Sequence, residues 1–169
     1  RLHGKTEFEL IPANELHERK GVEYKRDALW IGEERDTFVL PGFDLSYKHV
    51  YFGRTEKIKK RNFKDAFIPM DLWLEFLGYW ISEGACLNSS QIQIAQHWED
   101  GIREKGKKEK CLKIQACVEK IANCLGAPWY YRNDSHQFII TSKVLWSYCK
   151  QLGKSRQHNK FIPEDLLDL

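Results

Sequence analysis

Methionine occurs once and proline five times in 169 residues, and the five cysteines, Cys86, Cys111, Cys117, Cys124 and Cys149, form no CxxC pair. An odd number of thiols cannot all pair, and none sits in a Cys/His cluster, so neither a disulfide framework nor a zinc knuckle is expected. Long apolar runs are missing too. The longest, residues 76–81, falls far short of the ~18 residues a spanning helix needs. With 30% charged residues and a mean hydropathy of −0.58, no membrane association is expected. Charges throughout residues 1–10 leave no apolar signal region, so no secretory leader is expected. The chain reads as reducing and intracellular. What it does have is 42% hydrophobic and 13% aromatic residues, enough for one solid core with a smaller piece beside it.

The net charge of +3 hides an uneven distribution. Residues 1–45 carry 7 Lys and Arg against 10 Asp and Glu, and residues 46–169 carry 20 against 14. Residues 54–64 hold six cations and one acid, and residues 103–113 hold six and two. One such run is commonly a solvated face. Two in one domain point to a polyanion, because Lys and Arg gain affinity by releasing phosphate counterions.

Up to residue 42 the pattern is of short strands: Phe8 and Leu10 alternate with acids, as do Val22 and Tyr24 with charged neighbours, and residues 37–40 end at Pro41-Gly42. This gives a β-rich segment over 1–45. Residues 46–65 read as a basic connector with a turn at Gly53, and 66–169 as the main domain. In it, Asp71 is the expected N-cap of the strongest helix, which stops at Gly84. Residues 91–96 alternate as a strand with one greasy face and one face of amides. A basic loop precedes a helix over 110–125 with Ile114, Cys117, Val118, Ile121 and Leu125 on one side, closed by Gly126. Residues 129–132 and 137–141 flank a turn and read as a hairpin. Ser142 caps a last helix striped by Leu145, Tyr148, Cys149 and Leu152, and residues 162–167 begin another with Pro163 in its first turn.

The helix from residue 71 to 83 has only Asp71, Glu75, Ser82 and Glu83 as polar residues, so it must be covered on nearly all sides. Leu74, Gly78 and Ser82 recur at i, i+4 and i+8, narrowing the side chain towards the helix end. Glycine there costs ~1 kcal/mol of helix propensity, which suggests a partner helix approaching closely. Glu83 meets the negative end of the helix dipole, unfavourable by ~0.3–1 kcal/mol without a cation. A divalent metal is one such cation, and simple exposure to solvent is the plain alternative.

The stretch Phe76-Leu77-Gly78-Tyr79-Trp80-Ile81-Ser82-Glu83-Gly84 resembles the LAGLIDADG motif of homing endonucleases, with glycine third, a small residue seventh, an acid eighth and glycine ninth. The order of elements after it resembles that family's αββαββα repeat, over roughly 66–169. The resemblance implies an α+β fold with a saddle-shaped antiparallel sheet lying on double-stranded DNA. Two motif helices would pack through Leu74, Gly78 and Ser82. Glu83 would be catalytic and hold magnesium or another divalent cation with Ser82, and Lys143 would be the basic residue beside it. The segments Phe8-Glu9-Leu10-Ile11-Pro12-Ala13-Asn14-Glu15-Leu16 and Trp30-Ile31-Gly32-Glu33-Glu34 are similar to part of an intein splicing domain. No splicing nucleophile is present. His158-Asn159 is followed by Lys160 rather than Cys, Ser or Thr, so the chain is not expected to splice by itself. One motif is found where cutting both strands needs two, which implies a homodimer or a second LAGLIDADG half.

If Ile92 and Ile94 pack inward, then Gln91, Gln93 and His97 point to the groove, where glutamine reads adenine. The alternative is that the glutamines are the wet side of a half-buried sheet. Lys57, Lys59, Lys60 and Arg61 are the expected phosphate contacts, and Arg132, beside the hairpin turn, is expected to meet a phosphate or a guanine. The expected function is a component of a site-specific DNA endonuclease. The alternatives are an inactive DNA- or RNA-binding module such as a maturase or regulator, and a protein-interaction domain whose basic runs are solvated. His97, His136 and His158 have no metal-ligand spacing.

Overall fold

The periodicities of the sequence resolve into an α+β architecture of antiparallel strands and helices in a computed structural model that describes residues 33–51, 55–97, 107–153 and 160–166. The chain divides into two units, Arg1–Glu33 and Glu34–Leu169, and everything that follows concerns the second. The strands expected at Phe8 and Val22, most of the intein-like segment, the turn at Gly53, residues 103–106 and His158 lie outside the described residues.

Strands β1 (Thr37–Leu40) and β4 (Ala66–Pro69) pair antiparallel, with Thr37 opposite Pro69. Between them the chain runs out and back as β2 (Phe43–Tyr51) and β3 (Thr55–Phe63). Residues 46–65 are therefore most of a two-stranded ribbon and not a connector. Their pattern hid this, because none of the ribbon's described side chains is buried, and strands without a buried face need no apolar alternation. At its base the Gly42 N–H donates to the Asp65 carboxylate at 2.7 Å. A Cβ on Gly42 would run into the Phe63 carbonyl, so glycine is required where the strands close together.

Strand β4 runs straight into helix α1 (Met70–Glu83). Pro69 holds the N-cap position without a side-chain bond, and the Met70 N–H donates to the Asp36 carbonyl at 2.9 Å. Asp71 is thus not the cap. The neighbouring chain at the start of β1 supplies the acceptor instead, and Asp71 sits inside the first turn, where its charge suits the dipole. The helix does end at Gly84, but Gly84 has φ −83° and leads directly into strand β5 (Gly84–Leu87). Glycine is needed there for space, since a Cβ would collide with the Trp80 side chain, and not for a left-handed turn.

From α1 the order is helix, strand, strand, helix, strand, strand, helix: β5, β6 (Gln91–Ala95), α2 (Lys107–Leu125), β7 (Trp129–Arg132), β8 (Gln137–Thr141) and α3 (Lys143–Gln151). The four strands form one antiparallel sheet in the order β5-β6-β8-β7. Helix α2 buries Ile114, Cys117, Val118 and Ile121, and Gly126 closes it at φ +56°. It begins earlier than its apolar stripe, absorbing residues 107–109 of the basic run, and Lys113 pairs with Glu109 at 2.9 Å. Ser142 caps α3 as expected, its Oγ accepting the Leu145 N–H at 3.3 Å. Among the described residues the tail makes a 3-10 turn, Glu164–Leu166, in place of the expected α-helix, and Leu166 is buried in the core.

Helix α1 turns Met70, Trp73, Phe76, Leu77 and Trp80 inward against Ile92 and Ile94 of β6, Phe138 and Ile140 of β8, and the buried stripes of α2 and α3. Phe38 stacks on Trp73 at 4.1 Å between ring centres. Each buried aromatic removes ~150–250 Å² from water, worth roughly 4–6 kcal/mol at the usual coefficient. This core anchors the C-terminal end of α1 against the sheet. Among the described residues no helix is long and apolar enough to cross a membrane.

Candidate functional site

The outer side of α1 stays open. Leu74 is 39% exposed, Gly78 and Ser82 are exposed, and a Cβ added to Gly78 would meet nothing within 4 Å. The three residues expected at a helix pair thus share one uncovered strip. Beside it the Tyr79 hydroxyl donates to Glu75 at 3.2 Å. Burial, and then the bond to Glu75, push the Tyr79 pKa up to about 12.

Glu83 is the last residue of α1, exposed, where the helix enters the edge strand of the sheet. The cation that the dipole argument asks for is present in the chain itself. The Lys160 ammonium donates to the carbonyls of Trp80 at 2.7 Å, Ile81 at 3.1 Å and Gly84 at 2.6 Å, and lies 4.8 Å from the Trp80 ring centre. Helix α1 has no basic residue in its own last turn, so Lys160 does what a C-terminal lysine would do. Burial pulls its pKa below the ordinary lysine value, against the opposing pull of Cys86, Glu83 and Cys149. Sequence reasoning met Lys160 only as the wrong residue after His158-Asn159. The signal that could have found it is the unbalanced carboxylate at Glu83, which calls for a cation without saying from where.

Lys143 does not reach Glu83. Its ammonium donates to the Ser89 carbonyl at 2.6 Å and lies 4.1 Å from the Trp146 ring centre, tying α3 to the turn between β5 and β6. That turn lies at the end of β5 remote from Glu83. The Ser82 hydroxyl shares its one hydrogen between the Gly78 and Tyr79 carbonyls at 3.0 and 3.2 Å, so its oxygen keeps its capacity to accept. The oxygens at the helix end that could serve a divalent ion are those of the exposed Glu83 carboxylate and the Ser82 hydroxyl. Hard oxygen donors and a single carboxylate suit magnesium, which commonly takes one or two carboxylates and completes its shell with water and substrate phosphate. No cluster of three or more His, Cys, Asp or Glu able to hold a metal occurs among the described residues.

Register brings three of the expected DNA contacts to one face of the sheet. Gln91 lies opposite Thr141, Gln93 opposite Ile139 and Arg132 opposite Gln137, and directly opposed residues point the same way. Gln137, Thr141 and Tyr130 join them, and sequence reasoning had not placed these three there. The face is not uniformly wet: Ile139 and Ala85 are buried on it, and Gln91 and Gln93 are half-buried. Asn88 donates to Gln91 at 3.1 Å, which orients that amide. His97 follows the end of β6, and its ring lies 3.6 Å from that of His136. Lys57, Lys59, Lys60 and Arg61 are all exposed but stand on β3 of the ribbon, apart from the four-stranded sheet.

No family model matches the chain, and no solved structure matches it. It is 27% identical over 168 residues to an ATP-dependent Clp protease proteolytic subunit from Chlamydomonas moewusii, covering 96% of this chain and 15% of that protein. It is 25% identical over 165 residues to a DNA-directed RNA polymerase subunit beta C-terminal section from Stigeoclonium helveticum, covering 92% of this chain and 13% of that protein. The chain spans about a seventh of the length of the curated relatives it matches.

Proposed function

We propose that this chain is one half of a site-specific double-stranded DNA endonuclease of the LAGLIDADG type, carried within longer proteins. The observation that carries the reading is the junction at Glu83: a helix with an uncovered Leu74, Gly78 and Ser82 strip delivers an exposed carboxylate to the edge of a four-stranded sheet, within the αββαββα order. A second support is that one stretch is shared by a protein named for proteolysis and another named for transcription. A segment common to both accounts for neither named activity and fits a separable module.

In this reading the open strip of α1 receives the same helix of a second copy or of a second half, which supplies the other carboxylate. Glu83, with Ser82 beside it, holds a divalent ion. Such an ion, when bound, activates water and stabilises the leaving oxygen of a phosphodiester. Lys160 spends all three of its N–H groups on carbonyls, so it acts as a fixed positive charge next to the reacting phosphate and not as a proton donor. Gln91, Gln93 and Arg132 read or grip the duplex from the sheet face.

The test is end-capture sequencing of a randomised duplex library incubated with the chain and magnesium. Cut ends that need both magnesium and the Glu83 carboxylate support the reading; ends that persist at wild-type rate in Glu83→Gln overturn it. A second reading, duplex binding without cleavage, is favoured by the presence of Lys160, which already supplies the cation the helix end requires. Bound duplex recovered uncut under all metal conditions selects that reading.

A further inference from the structure

The β2–β3 ribbon has two chemically unlike faces. Alternation along each strand and the pairing register put Leu45, Tyr47, His49, Lys57, Lys59 and Arg61 on one face, with Leu45 opposite Arg61, Tyr47 opposite Lys59 and His49 opposite Lys57. Asp44, Ser46, Lys48, Ile58, Lys60 and Asn62 fall on the other. The first face has three permanent cations in a row and no acid. By register the second has two cations, Lys48 and Lys60, and two acids, Glu56 and Asp44, the latter accepting from the Asn62 amide at 2.8 Å. Lys57, Lys59 and Arg61 are exposed and follow one another at about 6–7 Å along an extended strand. The ribbon packs chiefly on itself. Its base is held by the Gly42 to Asp65 bond, and Phe43 lines a cavity of about 310 Å³ with Val144, Ser147 and Tyr148 of α3.

We propose that this ribbon is a second DNA-binding arm, separate from the glutamine face, that lies along the major groove of duplex DNA with Lys57, Lys59 and Arg61 against phosphates. The inference rests on the reading of the chain as directed to duplex DNA and adds a contact surface to it. A bare two-stranded ribbon is one of the two protein elements that the B-form major groove admits. The deep, narrow major groove of an RNA duplex does not admit it. An acidic protein surface would match the charge, but it gives no reason for three cations to follow one another on the acid-free face of a ribbon with so little packing on the body.

The arm is tested by fluorescence anisotropy of the whole chain on a DNA duplex three helical turns long, across a salt series. Lys57, Lys59 and Arg61 changed together to Ala remove three phosphate contacts, so the slope of log affinity against log salt should fall by about 2.7, making the affinity lost between about 50 and 200 mM salt about 40-fold smaller. The register turns Lys60 away from Lys57, Lys59 and Arg61 and so takes it out of the expected phosphate contacts; Lys48 and Lys60 changed together to Ala should alter the slope by less than about 1. Protection of guanine N7 from methylation, a major-groove signal, should be lost in the triple variant alone. All five side chains are exposed, and melting curves check that each variant is folded at the assay temperature. An unchanged slope, equal losses from both faces, or equal competition by an RNA duplex or polyglutamate overturns the arm. Slope loss in the triple variant without any Glu83-dependent cleavage removes the nuclease reading and leaves the arm standing. Glu83-dependent cleavage with a wild-type slope in the triple variant removes the arm alone.

Discussion

Replacing Lys160 by methionine keeps the length and apolar stem of the side chain and deletes its charge, which isolates what the ammonium does at the end of α1. Three carbonyls, of Trp80, Ile81 and Gly84, lose their donor. A hydrogen bond to a charged group contributes ~1.5–3 kcal/mol net. Three of them do not add, because Lys160 gives up water to make them, as its depressed pKa records. Allowing for that and for the water that still reaches a half-buried side chain, about 2 kcal/mol should be lost. In a unit of this size that lowers the melting temperature by ~4–8 °C. The sharper readout is a double-mutant cycle with Glu83→Gln, followed by thermal or urea melts at low salt. With Lys160 present, Glu83→Gln loses an attraction and relieves a dipole conflict, and the two nearly cancel. With methionine at 160 only the relief survives, so Glu83→Gln should become stabilising by ~0.3–1 kcal/mol. A Lys160→Met protein that melts with the parent, or an identical effect of Glu83→Gln in both backgrounds, refutes the assignment of Lys160 as the compensating cation.

Gly78→Ala should stabilise the isolated chain by ~0.5–1 kcal/mol through helix propensity, since its Cβ has open space. If the open strip is a helix interface, the same change should weaken self-association in sedimentation; unchanged association counts against the helix pair. Gly84→Ala should destabilise by ~1–3 kcal/mol or more in urea melts, because the new methyl meets Trp80 and cannot be accommodated without moving the helix end. Gln93→Ala should broaden the sequences selected from a random duplex pool while leaving the salt slope almost unchanged, and an altered slope with unchanged preference would remove Gln93 from base reading. The fold holds Lys160 below its unfolded pKa, so the unfolded chain binds more protons between the two values and the Lys160 contribution to stability rises with pH through that alkaline window. The stability advantage of the parent over Lys160→Met should therefore grow there, and an advantage that shrinks would reverse the sign of the shift.

Local rules carried the part of the fold in which burial writes a period into the chain. The strand at Gln91–Ala95, the stripe of α2, the Gly126 terminus and the Ser142 cap are all readable because apolar spacing and capping chemistry sit within a few residues of each other. The β2–β3 ribbon is the counterexample. Its strands bury no continuous face, so Lys57, Ile58, Lys59, Lys60 and Arg61 look like a charge run when they are five successive strand positions. The cap of α1 was misread for a related reason: the acceptor for the Met70 N–H is the Asp36 carbonyl, a contact between distant stretches that no local pattern encodes. Glycines 42 and 84 are legible as glycines, but their reason is a backbone or a tryptophan in the way. That reason appears only once the chain is folded.

The candidate site divides along the same line. Glu83, Ser82, Gly78 and Leu74 are close in sequence and come out together, and Gln91, Gln93 and Arg132 share a sheet face because period and hairpin geometry put them there. Lys143 and Lys160 could not be ranked by any local rule, since each reaches its partner across the fold, and the structure sends the first to Ser89 and the second to the end of α1. This exchange changes what a metal would be needed for. With no cation at the helix end, Glu83 would need an ion to relieve the dipole, and folding and metal binding would be coupled. With Lys160 in place that need is met inside the chain. The Glu83 carboxylate remains exposed, so an ion bound there serves a phosphate ligand more than the fold. Magnesium should then raise the melting temperature of the free chain little, and more when duplex DNA supplies the remaining oxygens of the shell. A large shift with magnesium alone, abolished by Glu83→Gln, would mean that the carboxylate still lacks a counter-charge and that the Lys160 ammonium does not do the work assigned to it.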